Sequence, residues 1–120
     1  MPPLTDPDRL AAYRDALGNW AFEGYVSFEL NENAQRWIER NLGTLEHREI
    51  KRLMYEFVAT GGEVDEVREN REGWKDLHEF HHDLRFTIKG IAVYIETRLI
   101  YRPPFKPDEP QILVVNVHDP

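Results

Sequence analysis

An α+β fold is what the sequence predicts, and three observations predict it. Apolar residues recur at helical spacing through the first half, alternate with a period of two through the last third, and are punctuated by glycine and proline at the joints. With 120 residues, 41% of them hydrophobic, the chain fits one domain with one core. Residues 22–118 are expected to form that core, with 1–21 as an N-terminal helical extension.

The elements follow in order. Asp6-Pro7 reads as an N-cap with proline at the first helical position, and Leu10, Ala11, Tyr13 and Leu17 recur before Gly18, which predicts a short helix. From Phe22 to Leu30, Val26, Phe28 and Leu30 alternate with Tyr25, Ser27 and Glu29, as in a half-buried strand. Asn31 or Asn33 can cap a helix carrying Ala34, Trp37, Ile38 and Leu42, with Gly43 as its stop and Thr44 capping the next. That third helix carries Leu45, Ile50, Leu53, Met54, Phe57 and Val58 and ends at Gly61-Gly62. The charged stretch Glu63–Lys75 reads as an exposed loop.

Three strands close the chain, and a three-stranded antiparallel meander is expected. Phe80, His82, Leu84, Phe86 and Ile88 form one face of the first strand, and Lys89-Gly90 makes a tight turn. The second strand runs through Ile91–Ile100. Pro103, Pro104, Pro107 and Pro110 cannot donate to a ladder, so 102–110 is a loop before a last strand, Ile112–His118.

The composition narrows the function. No cysteine is present, which excludes disulfides and thiolate metal sites. The first twenty residues hold no apolar h-region, and no apolar run approaches spanning length, so neither signal peptide nor membrane contact is expected and the cytoplasm is the expected location. The net charge of −7 opposes non-specific nucleic-acid binding. Residues 1–75 hold ten Lys/Arg against fifteen Asp/Glu, whereas 76–120 hold five against seven together with four of the five histidines, so the C-terminal part repels phosphate less.

A two-residue turn at Lys89-Gly90 pairs Ile88 with Ile91, Arg85 with Tyr94, Asp83 with Glu96 and His81 with Arg98. A slip of one residue would put Arg85 and Glu96 into the core. The polar face then collects His81, Asp83, Arg85, Tyr94, Glu96 and Arg98, and the last strand adds Asn116 and His118 if its even-numbered residues share that side. Such a set suits metal-independent RNA cleavage. Glu96 would take the ribose 2′-proton, His81 or His118 would protonate the leaving oxygen, and arginine would stabilise the phosphorane. The plainer reading is a solvated sheet face whose charges serve solubility and cross-strand pairing. His82, on the apolar face, is expected to be buried and hydrogen-bonded. Trp37 is expected in the core, with Trp20 and Trp74 at its rims or on contact surfaces.

His78-Glu79-Phe80-His81-His82 also satisfies H-E-x-x-H, which on a helix would place two histidines on a zinc ion. In a strand His78 and His82 lie about 13 Å apart, at ~3.3 Å per residue, so no metal or other cofactor is expected.

The order helix, strand, two helices, three antiparallel strands resembles the RelE/ParE toxin superfamily, including its MqsR-like relatives. Tyr25-Val-Ser-Phe-Glu-Leu and the helix through Trp37 resemble the family's opening. His82-Asp-Leu-Arg-Phe-Thr-Ile, Val93-Tyr-Ile-Glu-Thr and Ile112-Leu-Val-Val-Asn-Val-His resemble its closing strands. The resemblance implies a toxin component that cleaves RNA, alone or on the ribosome, with an antitoxin protein as partner. It gives Arg85 and His118 family counterparts, while His81 and Glu96 rest on the pairing argument alone. The family's nucleases are usually basic and this chain is acidic. A non-catalytic module presenting the sheet face or the acidic helical side to another protein is therefore the competing reading, with a small zinc hydrolase as a third.

Overall fold

The computed structural model describes residues 2–71, 79–100 and 109–120. Helix α1 (Pro7–Gly18) starts where Asp6 accepts the Arg9 amide at 2.9 Å with proline at its first position. Strand β1 (Val26–Phe28) is shorter than the Phe22–Leu30 run expected. Helix α2 (Glu32–Leu42) is capped by Asn31, whose side chain accepts the Ala34 amide at 2.8 Å. It stops at Gly43, whose backbone at φ 63°, ψ −120° suits glycine. Helix α3 (His47–Ala59) takes Glu46 as its N-cap with no side-chain hydrogen bond, in place of the Thr44 expected. Both helices bury residues four apart, Ala34, Ile38 and Leu42 on α2 and Ile50, Met54 and Val58 on α3, a spacing that aligns them on one stripe.

The strands β2 (Asp65–Arg68), β3 (Phe80–Ile88), β4 (Ile91–Ile100) and β5 (Gln111–His118) join β1 in a five-stranded mixed sheet of order β1-β5-β4-β3-β2. This corrects the expectation twice. The sheet has five strands where four were expected, one before the helices and three in the closing meander, and part of the Glu63–Lys75 stretch is an edge strand, not a loop. Asp65, Glu66, Val67 and Arg68 do not read as a strand because their charges mask any alternation. They pair antiparallel with β3, whose free edge supplies the hydrogen bonds. Strand β1 lies parallel to β5, Val26 beside Ile112 and Phe28 beside Val114. Lys75 and most of the expected 102–110 loop lie outside the described residues.

Between β3 and β4 the register is the one that a two-residue turn dictates, from Ile88–Ile91 through Arg85–Tyr94 to Asp83–Glu96 and His82–Thr97. Lys89 and Gly90 both have positive φ, 51° and 82°, which matches a type I′ turn to the twist of the hairpin. Along β5, His118 pairs with Tyr94 and Asn116 with Glu96. A bulge then skips Val115, so Thr97 faces Val114 and Arg98 faces Leu113.

Helix α2 packs against β5, α3 against β3, and α1 against both α3 and β5. Their buried residues merge with Leu84, Ile88, Val93, Ile95, Val114 and Val117 into one apolar core on that face of the sheet, with Trp37 packed against it. The alternate residues point to the opposite, outer face.

Helix α1 is held by polar contacts through the core. Tyr13 is fully buried and its hydroxyl lies 2.8 Å from the Thr97 hydroxyl. Arg9 grips both oxygens of Glu66, at 2.8 and 2.9 Å, and Glu66 meets His82 Nε2 at 3.0 Å. Burial works against the Glu66 charge, but the hydrogen bonds from Arg9 and His82 prevail and hold its pKa below the usual value. The chain before α1 adds to β2, where Leu4 donates to the Val64 carbonyl at 2.7 Å and Glu66 donates to that of Pro2 at 2.8 Å.

His82 is buried as expected, and its Nδ1 has no hydrogen-bond partner among the described residues. Burial, the largest influence, lowers its pKa below 6.5 despite the pull of Glu66. The fold therefore favours neutral His82. Its contribution to stability is complete above the unfolded value of about 6.5 and is lost as pH falls below that toward the lower folded value. Melting temperatures recorded between pH 7.5 and 5.5 should fall with pH. In His82→Gln the slope in this window should be shallower, with a remainder from His47, which burial shifts in the same direction. Equal slopes would mean that protons bind elsewhere.

Candidate functional site

The outer face is built in rows across β3, β4 and β5. The first row is Arg85, Tyr94 and His118, fixed by the pairings Arg85–Tyr94 and Tyr94–His118. The Arg85 guanidinium lies 5.1 Å from the centre of the Tyr94 ring, and the His118 ring stacks on it at 4.6 Å. Arg85 keeps 46% of its side chain exposed, and its one ion pair among the described residues is a long, 3.9 Å contact to Asp65.

The second row brings in Asp83, which is completely buried. Its carboxyl is a bridge: Tyr94 donates its hydroxyl to Oδ2 at 2.5 Å, and His81 Nδ1 sits 2.8 Å from Oδ1. Burial, reinforced by that hydrogen bond, raises the Tyr94 pKa, so the phenol stays protonated as a donor. Since a carboxylate only accepts, the hydrogen of neutral His81 resides on Nδ1 and the Nε2 lone pair is left free. His118 is anchored the same way, its Nδ1 2.5 Å from the Asp119 carbonyl. Both predicted histidines thus have Nδ1 engaged and Nε2 uncommitted among the described residues, and a single tyrosine connects them.

Glu96 and Arg98 share this face but occupy a different environment. Arg98, 0% exposed, donates to Glu96 at 2.8 Å and to Glu69 at 2.5 Å. Arg71 holds Glu69 through two side-chain contacts of 3.0 Å and reaches Glu96 with the same guanidinium. Among the described residues, two carboxylates and two guanidiniums therefore form a quartet of balanced charge. Hydrogen bonding from Arg71, the largest influence, drives the Glu69 pKa down to about 2. Burial opposes ionisation of Glu96, but the two arginines outweigh it and keep its pKa below the ordinary value.

The six predicted residues therefore divide into two sets. His81, Arg85, Tyr94 and His118 are joined through Asp83 and the Tyr94 ring, with Arg85 exposed, the two histidines half-buried and Tyr94 buried. Glu96 is a poor proton acceptor between two guanidiniums, and Arg98 is sealed from any ligand arriving from solvent. Asp83 lay in the predicted face, and its pairing with Glu96 was legible, but its bridging role was not. Glu69 and Arg71 fall in the expected loop, where nothing in the spacing marks them as partners of β4.

The H-E-x-x-H segment is a strand from Phe80 onward, so it lacks the helical geometry of a zinc protease. His82 is committed to Glu66 and Glu79 lies 3.5 Å from Arg68, while His78 lies outside the described residues, as does Trp74. Among the described residues no three His, Asp or Glu side chains are grouped to hold a metal ion. No helix among them is long and apolar enough to cross a membrane.

The two sets predict opposite mutational profiles. Arg98→Met removes one partner of two buried carboxylates and should cost about 3–5 kcal/mol in chemical denaturation. Arg85→Ala, on an exposed and loosely paired side chain, should stay within about 1 kcal/mol. Comparable losses from the two variants would show that the quartet does not carry the difference. No family model, curated protein or solved structure matches the chain, so what this face can do follows from its own groups.

Proposed function

We propose that the chain is a ribonuclease of toxin type, similar in architecture to the RelE/ParE superfamily, which cleaves RNA by internal attack of the ribose 2′-hydroxyl. The supporting observation is the pair of histidines anchored through Nδ1, His81 on Asp83 and His118 on the Asp119 carbonyl, with Arg85 and Tyr94 in the same group.

In this reading His81 Nε2 takes the 2′-proton, the 2′-oxygen attacks phosphorus, and the bond to the 5′-oxygen breaks. His118, entering as the imidazolium, delivers a proton to that oxygen, leaving a 2′,3′-cyclic phosphate and a 5′-hydroxyl. Arg85 offers its guanidinium to the phosphorane charge. Tyr94 holds the group together. Glu96, expected from the sequence as the base, becomes a structural member of the quartet. An antitoxin protein would be the partner and the cytoplasm the site of action.

A second reading, a protein-interaction module without catalysis, draws on the −7 charge and on Phe22, 66% exposed. A basic partner would complement that charge.

The test is cleavage of a short RNA, free and on translating ribosomes, together with growth after induction. Wild type should arrest growth and yield cyclic-phosphate ends with EDTA present. His81→Gln and Arg85→Ala, shown to be folded, should each lose about 10²–10⁴-fold in rate. Glu96→Gln should lower the melting temperature while a folded fraction keeps its rate. Folded wild type with no activity on either substrate would overturn the ribonuclease reading in favour of the interaction module.

A further inference from the structure

Away from the outer face, α1 and the C-terminal half of α3 leave a cleft of about 420 Å³ lined by Arg14, Leu17, Tyr55, Val58, Ala59 and Gly61. That volume lies within the range of about 300–1,000 Å³ found for small-molecule sites. Leu17 and Val58 are buried residues of the core. Tyr55 is 38% exposed, one of two large hydrophobic side chains so exposed among the described residues. Gly61, at φ +101°, turns the chain after α3 along the cleft's lining.

The cleft carries a cation with no counter-charge among the described residues. Arg9, Arg36, Arg52, Arg68, Arg71 and Arg98 each meet a carboxylate within 4 Å. Arg14, like Arg40 and Arg48, has no such partner among the described residues, and among them it is the one charged side chain lining the cleft. A cation without a counter-charge beside an apolar floor and an aromatic rim complements a ligand with an anionic end and an apolar body. Guanidinium and carboxylate match in geometry as well as in sign.

We propose that this cleft binds one small organic acid, a carboxylate on a hydrocarbon or aromatic body. Arg14 pairs with the carboxylate, while Leu17, Val58, Ala59 and the Tyr55 ring cover the body. The site is independent of the ribonuclease reading, since it shares no residue with the outer-face group.

The experiment titrates the ¹⁵N-labelled full chain with octanoate, with octan-1-ol and acetate in parallel, and follows amide shifts by NMR. Octanoate should give saturable shifts centred on Arg14, Tyr55 and Gly61, and both controls should bind more weakly. Arg14 is exposed and has no ion pair among the described residues, so Arg14→Gln should fold normally. It should weaken octanoate about tenfold to a hundredfold, the effect of losing a hydrogen bond to a charged group. Arg14→Lys should recover part of that loss. Equal binding of octan-1-ol, unchanged binding by Arg14→Gln, or shifts centred elsewhere would each overturn the proposal.

Discussion

The register of the β3–β4 hairpin is the constraint on which the outer face depends. Two residues at positive φ, Lys89 and Gly90, connect strands of nine and ten residues. Once Ile88 faces Ile91, every later pair is fixed, because side chains alternate with a period of two and a single-residue slip would exchange the faces. Leu84, Val93 and Ile95 then enter the core while Asp83, Arg85, Tyr94 and Glu96 share the other side. The apolar pattern enforces the polar one: exposing three buried aliphatic side chains would cost about 1.5–3 kcal/mol each.

Burying charge on that face requires compensation close at hand. Arg98 and Glu96 face away from the apolar core, yet both are buried, and β2 supplies the answer. The pairing of β2 with β3 carries the chain forward so that Glu69 and Arg71 arrive beside them. Four charges cancel within hydrogen-bonding distance, which offsets a desolvation penalty that a lone ion could not meet. The same edge strand presents Glu66 to the helical side, where Arg9 and His82 satisfy it. Strand β2 therefore joins a charge network on each face of the sheet, and its own charged sequence is the result.

That division of labour separates two kinds of polar residue. Side chains that complete each other's hydrogen bonds, as in the quartet, spend their capacity on the fold. Those anchored by one end only, His81 and His118 through Nδ1 and Arg85 by stacking on Tyr94, keep capacity for a ligand. In the ribonuclease reading proposed above, identical residue types serve structure or chemistry according to how many of their donors and acceptors the fold consumes.

Much of this was determined by the sequence itself. Local rules placed α1 at Asp6-Pro7, narrowed the α2 cap to Asn31 or Asn33, ended that helix at Gly43 and set the hairpin register at Lys89-Gly90, because caps and turns depend on residues a few positions apart. The shared face of His81, Arg85, Tyr94 and Glu96 followed from that register, and the place of His82 in the core followed from the apolar alternation. Only the tertiary structure decided that Asp65–Arg68 is a strand, that β1 runs parallel to β5, and that Glu96 and Arg98 belong to a charge quartet with Glu69 and Arg71 while Asp83 bridges His81 and Tyr94. Each of these rests on groups brought together from distant parts of the chain. Arg71 lies twenty-five positions from Glu96, and Tyr13 eighty-four from Thr97. No periodicity within one segment encodes which remote partner will claim a side chain's hydrogen bonds.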